Sequence, residues 1–205
     1  MNDSKVMAKR IELSVLLRDI LSQRPPKEIE DKGADHRHAA VLVPFFKADG
    51  EYGVLFTKRT NRVEAHKGQI SFPGGAVDEQ DRSFVETALR EAHEEIGLRP
   101  EEVTILGQTD DTRTVASNFI IHPFVGLVPY PYPFRINAGE VKKLIEVPLK
   151  VFLSDELQSR TMPVEYEGRT YEGVAYPYDG DVIWGATARI MENLVEIIRE
   201  GKGSV

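Results

Sequence analysis

Cysteine is absent from the 205 residues of this sequence. A disulfide framework, a thiolate zinc site and a catalytic thiol are therefore excluded. Dense runs of lysine and arginine are missing as well, and 33 acidic residues against 26 basic ones give a net charge of −7. This balance argues against a nucleic-acid polymer as the main partner. An acidic chain that handles a phosphate ester needs instead a metal ion and a local group of cations.

Long hydrophobic runs are also missing. The longest apolar stretch, residues 39–46, contains a proline and is far shorter than the roughly 20 residues of a membrane-spanning helix. Near the N-terminus, Lys5, Lys9 and Arg10 are not followed by the apolar segment of a signal peptide. We therefore expect a cytoplasmic protein with no membrane partner.

The length and composition favour one globular domain with an N-terminal extension. Apolar residues at helical spacing predict a helix over residues 4–23, and residues 27–38 are polar enough for a linker. We assign residues 1–34 to this helix and linker, packed on a main domain of residues 35–205. A partner helix in a homodimer is the alternative interpretation of the N-terminal helix.

Short runs with strand character fill the main domain. Asp49 and Gly50 predict a hairpin turn between the first two strands. Strands are predicted over residues 39–46, 52–57, 69–72, 103–107, 120–128, 141–147, 162–166 and 171–176, and helices over an acidic segment after residue 83 and over 149–157 and 184–199. Strands with helices before, between and after them favour an α+β fold, an α/β/α sandwich around a central mixed β-sheet.

Two histidines, His36 and His38, fall in the predicted linker, one residue apart. As a metal-binding pair they would need further ligands that the neighbouring sequence does not offer. We therefore expect both to be exposed loop histidines.

The stretch that carries the chemistry is residues 74–98, where a Gly-Gly turn is predicted to lead into good helix formers. Glu91, Glu94 and Glu95 are spaced i, i+3 and i+4, which places the three carboxylates on one helical face. Like charges at these spacings cost a helix about 0.2–0.5 kcal/mol per pair. A solvated acidic face is the plain alternative. All-oxygen ligands are typical of a site for a hard divalent ion, Mg2+ or Mn2+.

The same stretch resembles the signature of the Nudix hydrolases. In words, that signature is Gly, five residues, Glu, seven residues, Arg-Glu, apolar, any, Glu-Glu, any, Gly, apolar. Its second half matches position by position from Arg90 to Leu98, whereas counted from Gly75 the glutamate position holds Asp81 and Arg90 comes one residue late. The candidates for the missing acidic role are Asp78, Glu79 and Asp81. The resemblance implies the Nudix fold and hydrolysis of a diphosphate.

Hydrolysis of a diphosphate needs a divalent cation that neutralises the phosphate oxygens and acidifies a water molecule. We expect Glu91, Glu94 and Glu95 to hold this metal. Arg90, by its family role, holds a carboxylate in position and pairs with Glu86 or Glu94. The general base is either Glu91, our first choice, or Glu140, which opens a strand after a turn. Gly74 and Gly75 allow the backbone to approach the helix and the metal closely.

A second resemblance is to the coenzyme A pyrophosphatases of the Nudix group. Residues 55–60 and 68–75 look like the additional motif of that subgroup, and residues 184–189 look like its final helix. The motif's second arginine position holds Glu64, although Arg62 is two residues away. A cationic stretch suited to a phosphorylated nucleotide remains, and the expected substrate-binding residues are Arg59, Arg62, Lys67, Gly74 and Gly75, with His66 beside them.

These observations lead to one expected function and two alternatives. We expect metal-dependent cleavage of coenzyme A or acyl-CoA into 3′,5′-ADP and a 4′-phosphopantetheine product. Because Glu64 replaces an arginine, a pyrophosphatase for ADP-ribose or another nucleoside diphosphate derivative is the first alternative. A non-catalytic Nudix module that binds nucleotide as a sensor is the second, although such a module has little reason to keep Arg90 and the three glutamates together.

Overall fold

The computed structural model describes residues 12–31, 36–60, 68–114, 117–154, 160–166 and 168–203. Helices α1 to α4 occupy Leu13–Gln23, Phe84–Ile96, Lys150–Leu153 and Gly185–Gly203. Strands β1 to β11 occupy Arg37–Ala48, Glu51–Arg59, Ile70–Ser71, Gly74–Ala76, Thr104–Gln108, Thr112–Arg113, Phe119–Leu127, Val141–Pro148, Arg160–Tyr166, Arg169–Tyr178 and Asp181–Trp184. None of the helices in these ranges is long and apolar enough to cross a membrane.

Eight of the described strands form one mixed sheet. Its main path runs β3-β2-β1-β7-β5, with β4 paired to β1, β6 to β7 and β8 to β2. Strands β1 and β7 are parallel, whereas the remaining pairs of this sheet are antiparallel. Because β1 lies between neighbours and is covered on both faces, its apolar run is continuous rather than alternating. The three other strands form a second sheet in the order β11-β10-β9.

Helices cover both faces of the large sheet. On one face, Ala92 and Ile96 of α2 pack in a cluster with Leu42 of β1. On the other face, the cluster includes Phe45 of β1 and Met191 of α4, together with side chains from α1 and α3. This layering confirms the prediction of an α/β/α sandwich around a mixed sheet.

The N-terminal segment is bound to the large sheet. Arg24 pairs with Asp110 at 2.6 Å, and the backbone N–H of Ile29 donates to Asp111 at 3.0 Å. Helix α1 begins at Leu13 in the described residues, and residues 4–11 of the predicted helix lie outside them. The division of the chain between residues 34 and 35 stays a prediction.

Several predicted element boundaries are wrong. The Gly-Gly pair is part of strand β4 rather than a turn, because Gly74 and Gly75 pair with Val41 and Ala40 of β1. Trp184 ends strand β11 and precedes helix α4. Helix α3 ends at Leu153 instead of continuing to residue 157, and residues 155–159 lie outside the described part of the chain. Strands β4, β6 and β11 were not predicted.

The expectation of exposed loop histidines is also wrong. His38 belongs to β1, and its Nδ1 lies 2.9 Å from Nε2 of His122 on the parallel neighbour β7. His122 in turn lies 2.8 Å from Asp111 and stacks on the ring of Phe84 at 3.7 Å between centroids. The side chain of His36 is only 11% exposed and pairs with an aspartate. The apolar run that marked β1 starts later than the strand itself, which begins at Arg37.

Candidate active site

Helix α2 has well-defined ends that fix the position of its acidic face. Ser83 is the N-cap and accepts a hydrogen bond from the backbone N–H of Glu86 at 3.3 Å. Gly97 ends the helix in the left-handed conformation, with φ of 69°, which glycine adopts without a steric penalty. The apolar residues Ala88, Ala92 and Ile96 bury the helix against the sheet. The orientation of the glutamates is thereby set by the core.

The glycine strand β4 lies directly against the glutamates of α2. A Cβ atom at Gly75 would lie 2.5 Å from Cδ of Glu91, a distance that real Cβ contacts do not show. A Cβ at Gly74 would lie 2.4 Å from the carbonyl oxygen of Ala40. Glycine at position 75 therefore makes room for the Glu91 carboxylate, and glycine at position 74 makes room for the pairing with β1.

Arg90 is held in a fork of hydrogen bonds beside this cluster. Its Nε and Nη2 each donate to the carboxylate of Asp81 at 2.9 Å, and its Nη1 donates to Glu91 at 2.8 Å. The Arg90 guanidinium holds the pKa of Asp81 well below its usual range, helped by the hydroxyl of Thr87. Of the three candidates for the missing acidic role, Asp81 is the residue that binds Arg90.

The sequence spacing predicts Glu86 or Glu94 as the carboxylate partner of Arg90. Glu94 accepts from Nη1 of Arg90 at 3.4 Å and is 54% exposed. Glu86 accepts instead from the backbone N–H of Arg82 at 2.8 Å, near the start of the helix. Arg90 therefore links Asp81 to Glu91 and Glu94.

Glu95 is a buried carboxylate with an incomplete set of partners. Its side chain is 2% exposed, and its Oε1 lies 3.5 Å from Nη1 of Arg59. Burial raises the pKa of Glu95 to about 8, and the charges of Glu91 and Glu140 act in the same direction, whereas Arg59 opposes them. Oε2 of Glu95 has no hydrogen-bond partner among the described residues. A divalent cation is one partner that can satisfy such an oxygen.

Glu91 shares this environment. Burial raises the pKa of Glu91, and the neighbouring charges of Glu94 and Glu140 add to the effect, although the hydrogen bond from Arg90 opposes it. Two desolvated carboxylates on successive turns therefore face the same space.

Glu140 reaches the cluster from a loop more than 40 positions along the chain. The side-chain amide of Asn137 donates to Glu140 at 3.0 Å, and the backbone N–H of Asn137 donates to the carbonyl oxygen of Glu95 at 2.9 Å. The backbone N–H of Thr60 donates to the carbonyl oxygen of Glu140 at 2.8 Å. These bonds join the loop to both α2 and β2, so the carboxylate of Glu140 acts electrostatically on Glu91 and Glu95.

The carboxylates of this cluster are oxygen donors of the kind that a hard metal ion binds. Within the described ranges, no group of three or more carboxylate or imidazole side chains is arranged as a site that could hold a metal ion by itself. The unpartnered oxygen of Glu95 and the desolvated carboxylate of Glu91, four residues apart on α2, nevertheless fit a hard divalent cation. Such a cation takes its remaining ligands from water and substrate phosphate.

A cavity of about 950 Å³ opens beside the glycine strand. Arg59, Gly74 and Gly75, all predicted to bind substrate, line one part of it. The other two predicted substrate-binding residues, Arg62 and Lys67, lie outside the described residues, as do Glu64 and His66. Nε of Arg59 has no hydrogen-bond partner in the described structure, so this guanidinium retains a free donor.

The far wall of the cavity was missed by sequence reasoning. It is built by the second sheet and the start of α4, and its aromatic side chains are Tyr166, Tyr171 and Trp184. The rings of both tyrosines lie 5.4 Å from that of Trp184. The contact of Trp184 with two tyrosines distant in sequence depends on the fold, so the local sequence did not predict it.

Comparison with known proteins identifies the family to which this chain belongs. The family model described as the NUDIX domain matches residues 36–163. The chain therefore belongs to the Nudix family, and it is a Nudix hydrolase, an enzyme of the pyrophosphohydrolase class that acts on nucleoside diphosphate derivatives.

Individual relatives agree with this assignment. The chain is similar to the uncharacterized Nudix hydrolase NudL of Photorhabdus laumondii, with 36% identity over 85% of this chain and 90% of that protein. It is also similar to the NudL of Yersinia pestis, with 37% identity over 80% of each chain. A solved MutT/nudix family protein from Enterococcus faecalis shares the fold, with a TM-score of 0.53 and 14% identity over 87% of this chain and 66% of that one.

Proposed function

We propose that this Nudix hydrolase cleaves the diphosphate of coenzyme A or acyl-CoA into 3′,5′-ADP and the 4′-phosphopantetheine or acyl-phosphopantetheine product. The observation that carries the proposal is the cavity of about 950 Å³, which joins the glycine strand and Arg59 to the aromatic wall. Its volume is at the upper end of the roughly 300–1,000 Å³ typical of small-molecule sites, and its aromatic rings suit a purine base. The motif resemblance of residues 55–60 and 68–75 supports the same substrate.

We infer that Mg2+ or Mn2+ is the cofactor and that Glu91, Glu94 and Glu95 hold it. When bound, the cation neutralises the negative charge of the phosphate oxygens and lowers the pKa of a coordinated water. The unpartnered oxygen of Glu95 supports its role as a ligand. Arg90, clamped by Asp81, keeps the carboxylate of Glu91 in place.

Glu91 and Glu140 are the two candidates for the general base. Each is a carboxylate at the cluster, and each is able to accept the proton of the attacking water. Glu91 is our first choice because its pKa is raised by burial, which makes it a stronger base once ionised. Glu140 is the alternative, since its loop is tied to α2 by the bond from Asn137 to Glu95.

The phosphates of the substrate require cations from the protein as well. Arg59 lines the cavity and carries an unused Nε donor, so it is the first candidate among the described residues. We propose that Arg62 and Lys67 act with it and that the backbone of Gly74 and Gly75 allows the diphosphate to approach the metal. The substrate is then a small nucleotide, with no nucleic-acid polymer and no membrane as partner. A homodimer and a cytoplasmic location stay predictions.

The test is a product analysis with purified protein, Mg2+ or Mn2+, and matched concentrations of coenzyme A and ADP-ribose. Appearance of 3′,5′-ADP with a higher kcat/KM than that for ADP-ribose cleavage supports the proposal. Preference for ADP-ribose would instead support the first alternative, a pyrophosphatase for ADP-ribose or another nucleoside diphosphate derivative. Absence of turnover for both, also at alkaline pH with Mn2+, would overturn the proposed substrate and favour the sensor.

A further inference from the structure

Arg189 occupies the cavity wall without a carboxylate partner. It lies in the second turn of α4, lines the cavity, and donates from Nη2 to the carbonyl oxygen of Arg113. In the described part of the chain, no carboxylate lies within 4.0 Å of its guanidinium. Burial lowers the pKa of Arg189, while the charge of Glu192, one turn further along α4, partly opposes that effect. A half-buried cation with one hydrogen bond to a neutral carbonyl is incompletely compensated.

Two other partly buried arginines of this chain are paired with carboxylates. Arg24 and Arg90 each have a carboxylate oxygen within 2.9 Å. Arg189 resembles them in burial but lacks such a partner within the described residues, and it faces a cavity instead of a counter-ion. An anionic group of a ligand is the partner that this geometry lacks.

The sheet topology gives the separation between Arg189 and the catalytic cluster. Strands β4, β1, β7 and β6 lie side by side, with Gly75 opposite Ala40 and Arg113 opposite Ile120. Three inter-strand spacings, about 14 Å, separate strands β4 and β6. Ala40 pairs with His122, two residues along β7 from Ile120, so the backbones of Gly75 and Arg113 are about 16 Å apart. Because Arg189 is bonded to the backbone of Arg113, its guanidinium lies at the end of the cavity away from Gly75 and the glutamates.

The surroundings of Arg189 suit a phosphate group. The hydroxyl-bearing residues Thr114, Ser117 and Thr187 line the same cavity, and Ser117 Oγ lies 2.9 Å from Oγ1 of Thr114. Hydroxyl and guanidinium groups together are donors that phosphate oxygens accept. Glu192 also lines the cavity, and burial raises the pKa of its carboxyl group, which reduces the negative charge it presents.

We propose that Arg189 binds a second anionic group of the substrate, a phosphomonoester on the ribose, at the end of the cavity opposite the diphosphate. The proposal rests on the proposed function and sharpens it, because a plain nucleoside diphosphate derivative has no such group. In this proposal, helix α4 supplies the arginine that recognises the phosphate. The motif that contains Glu64 in place of an arginine is then not needed for this contact. The 3′-phosphate of coenzyme A and the 2′-phosphate of NADPH are two sources of the same chemistry.

The experiment compares coenzyme A with dephospho-coenzyme A, which differ by this phosphate alone, for the wild-type enzyme and Arg189→Gln. We expect the wild type to prefer coenzyme A, and Arg189→Gln to lose about tenfold to a hundredfold in kcat/KM for coenzyme A, mainly through KM. Its kcat/KM for dephospho-coenzyme A should stay unchanged. Arg189→Lys should retain part of the preference, and Arg18→Gln on the exposed face of α1 is the matched control. A parallel comparison of NADPH with NADH distinguishes the 2′-phosphate source.

Equal losses for both substrates in Arg189→Gln would show a structural role and overturn the proposal, as would an unchanged ratio between them. If the wild-type enzyme cleaves both substrates equally well, the phosphate is not recognised and the proposal is likewise overturned. If the wild-type enzyme cleaves neither coenzyme A nor dephospho-coenzyme A, the proposed function itself fails. That outcome is visible before any variant is made.

Discussion

The carboxylate of Asp81 accepts two parallel hydrogen bonds from the guanidinium of Arg90, each 2.9 Å long. Nine positions separate the two residues, one more than the Nudix signature places between its glutamate and arginine. The extra residue lies between Asp81 and Arg90, where the chain turns into the N-cap Ser83. The insertion does not disrupt the pair of Asp81 and Arg90, because the extra residue lies in the loop before α2 and not within the helix.

Replacement of Asp81 tests whether this pair positions Glu91. In Asp81→Asn, Arg90 loses a charged partner that is almost completely buried. We expect the free energy of unfolding to fall by about 1.5–3 kcal/mol and kcat to fall about tenfold to a hundredfold. Urea denaturation and steady-state kinetics measure the two effects. Glu79→Gln, an exposed acid in the same loop, should match the wild type, and an equal loss there would refute a specific role for Asp81.

The same pair predicts a pH dependence of stability. The hydrogen bonds from Arg90 depress the pKa of Asp81 in the folded state, below the unfolded value of about 3.9. The contribution of Asp81 to stability is therefore fully present above that unfolded pKa and is lost as the pH falls through the folded pKa. The stability difference between the wild type and Asp81→Asn should be constant from pH 7 to about 5 and shrink below about pH 4. A difference that does not change with pH would contradict this account.

Replacement of Glu95 or Glu94 separates metal binding from folding. Each of Glu95→Gln and Glu94→Gln should lower turnover about 10²-fold or more through weaker metal binding. Thermal stability without metal should stay near the wild-type value, because Glu94 is exposed and Glu95 is a buried carboxylate with an unpartnered oxygen. Calorimetric titration with Mn2+ and thermal melts are the measurements, with the exposed His93→Gln on the same helix as control. Unchanged rates in both glutamine variants would locate the site elsewhere.

Adjacent glycines in β4 should respond differently to the same substitution. In Gly75→Ala, the new Cβ would meet the carboxylate of Glu91, which is the far end of a flexible side chain. We expect that variant to fold with a small loss of melting temperature and to lose about tenfold or more in kcat. In Gly74→Ala, the new Cβ would meet the backbone of Ala40 and Val41, so the main effect should be on stability. Similar melting temperatures for the two variants would contradict the steric argument.

The local sequence was sufficient for the helix that carries the glutamates. The spacing of Glu91, Glu94 and Glu95 and the apolar stripe of α2 are properties of one helix, so periodicity predicts them. The main apolar strands were predicted for the same reason. The mixed sheet followed from the order of these elements along the chain.

Features that depend on contacts between residues distant in sequence could not be predicted from local periodicity. Strand β4 has the composition of a turn, and it is extended only because β1 pairs with it. The contact between His38 and His122 joins residues 84 positions apart. Arg189 and Trp184 line the cavity together with residues of the large sheet that are distant from them in sequence, so the local sequence does not predict that arrangement.

The packing of α1 on α4 yields a final prediction. A Cβ at Gly201 would lie 2.0 Å from Cδ1 of Ile20, although no closer than 3.9 Å to the Cβ of that isoleucine. Gly201→Ala alone should therefore destabilise the protein by about 1–3 kcal/mol, despite the better helix propensity of alanine. Shortening the isoleucine removes the clash, so Ile20→Ala/Gly201→Ala should be more stable than the sum of the single variants predicts, by about 0.5–3 kcal/mol. Val15→Ala, on the exposed side of α1, should show no coupling to Gly201→Ala. Additive effects for Ile20 and Gly201 would mean that α1 does not pack on α4 in solution, since two residues that do not touch have no interaction energy to recover.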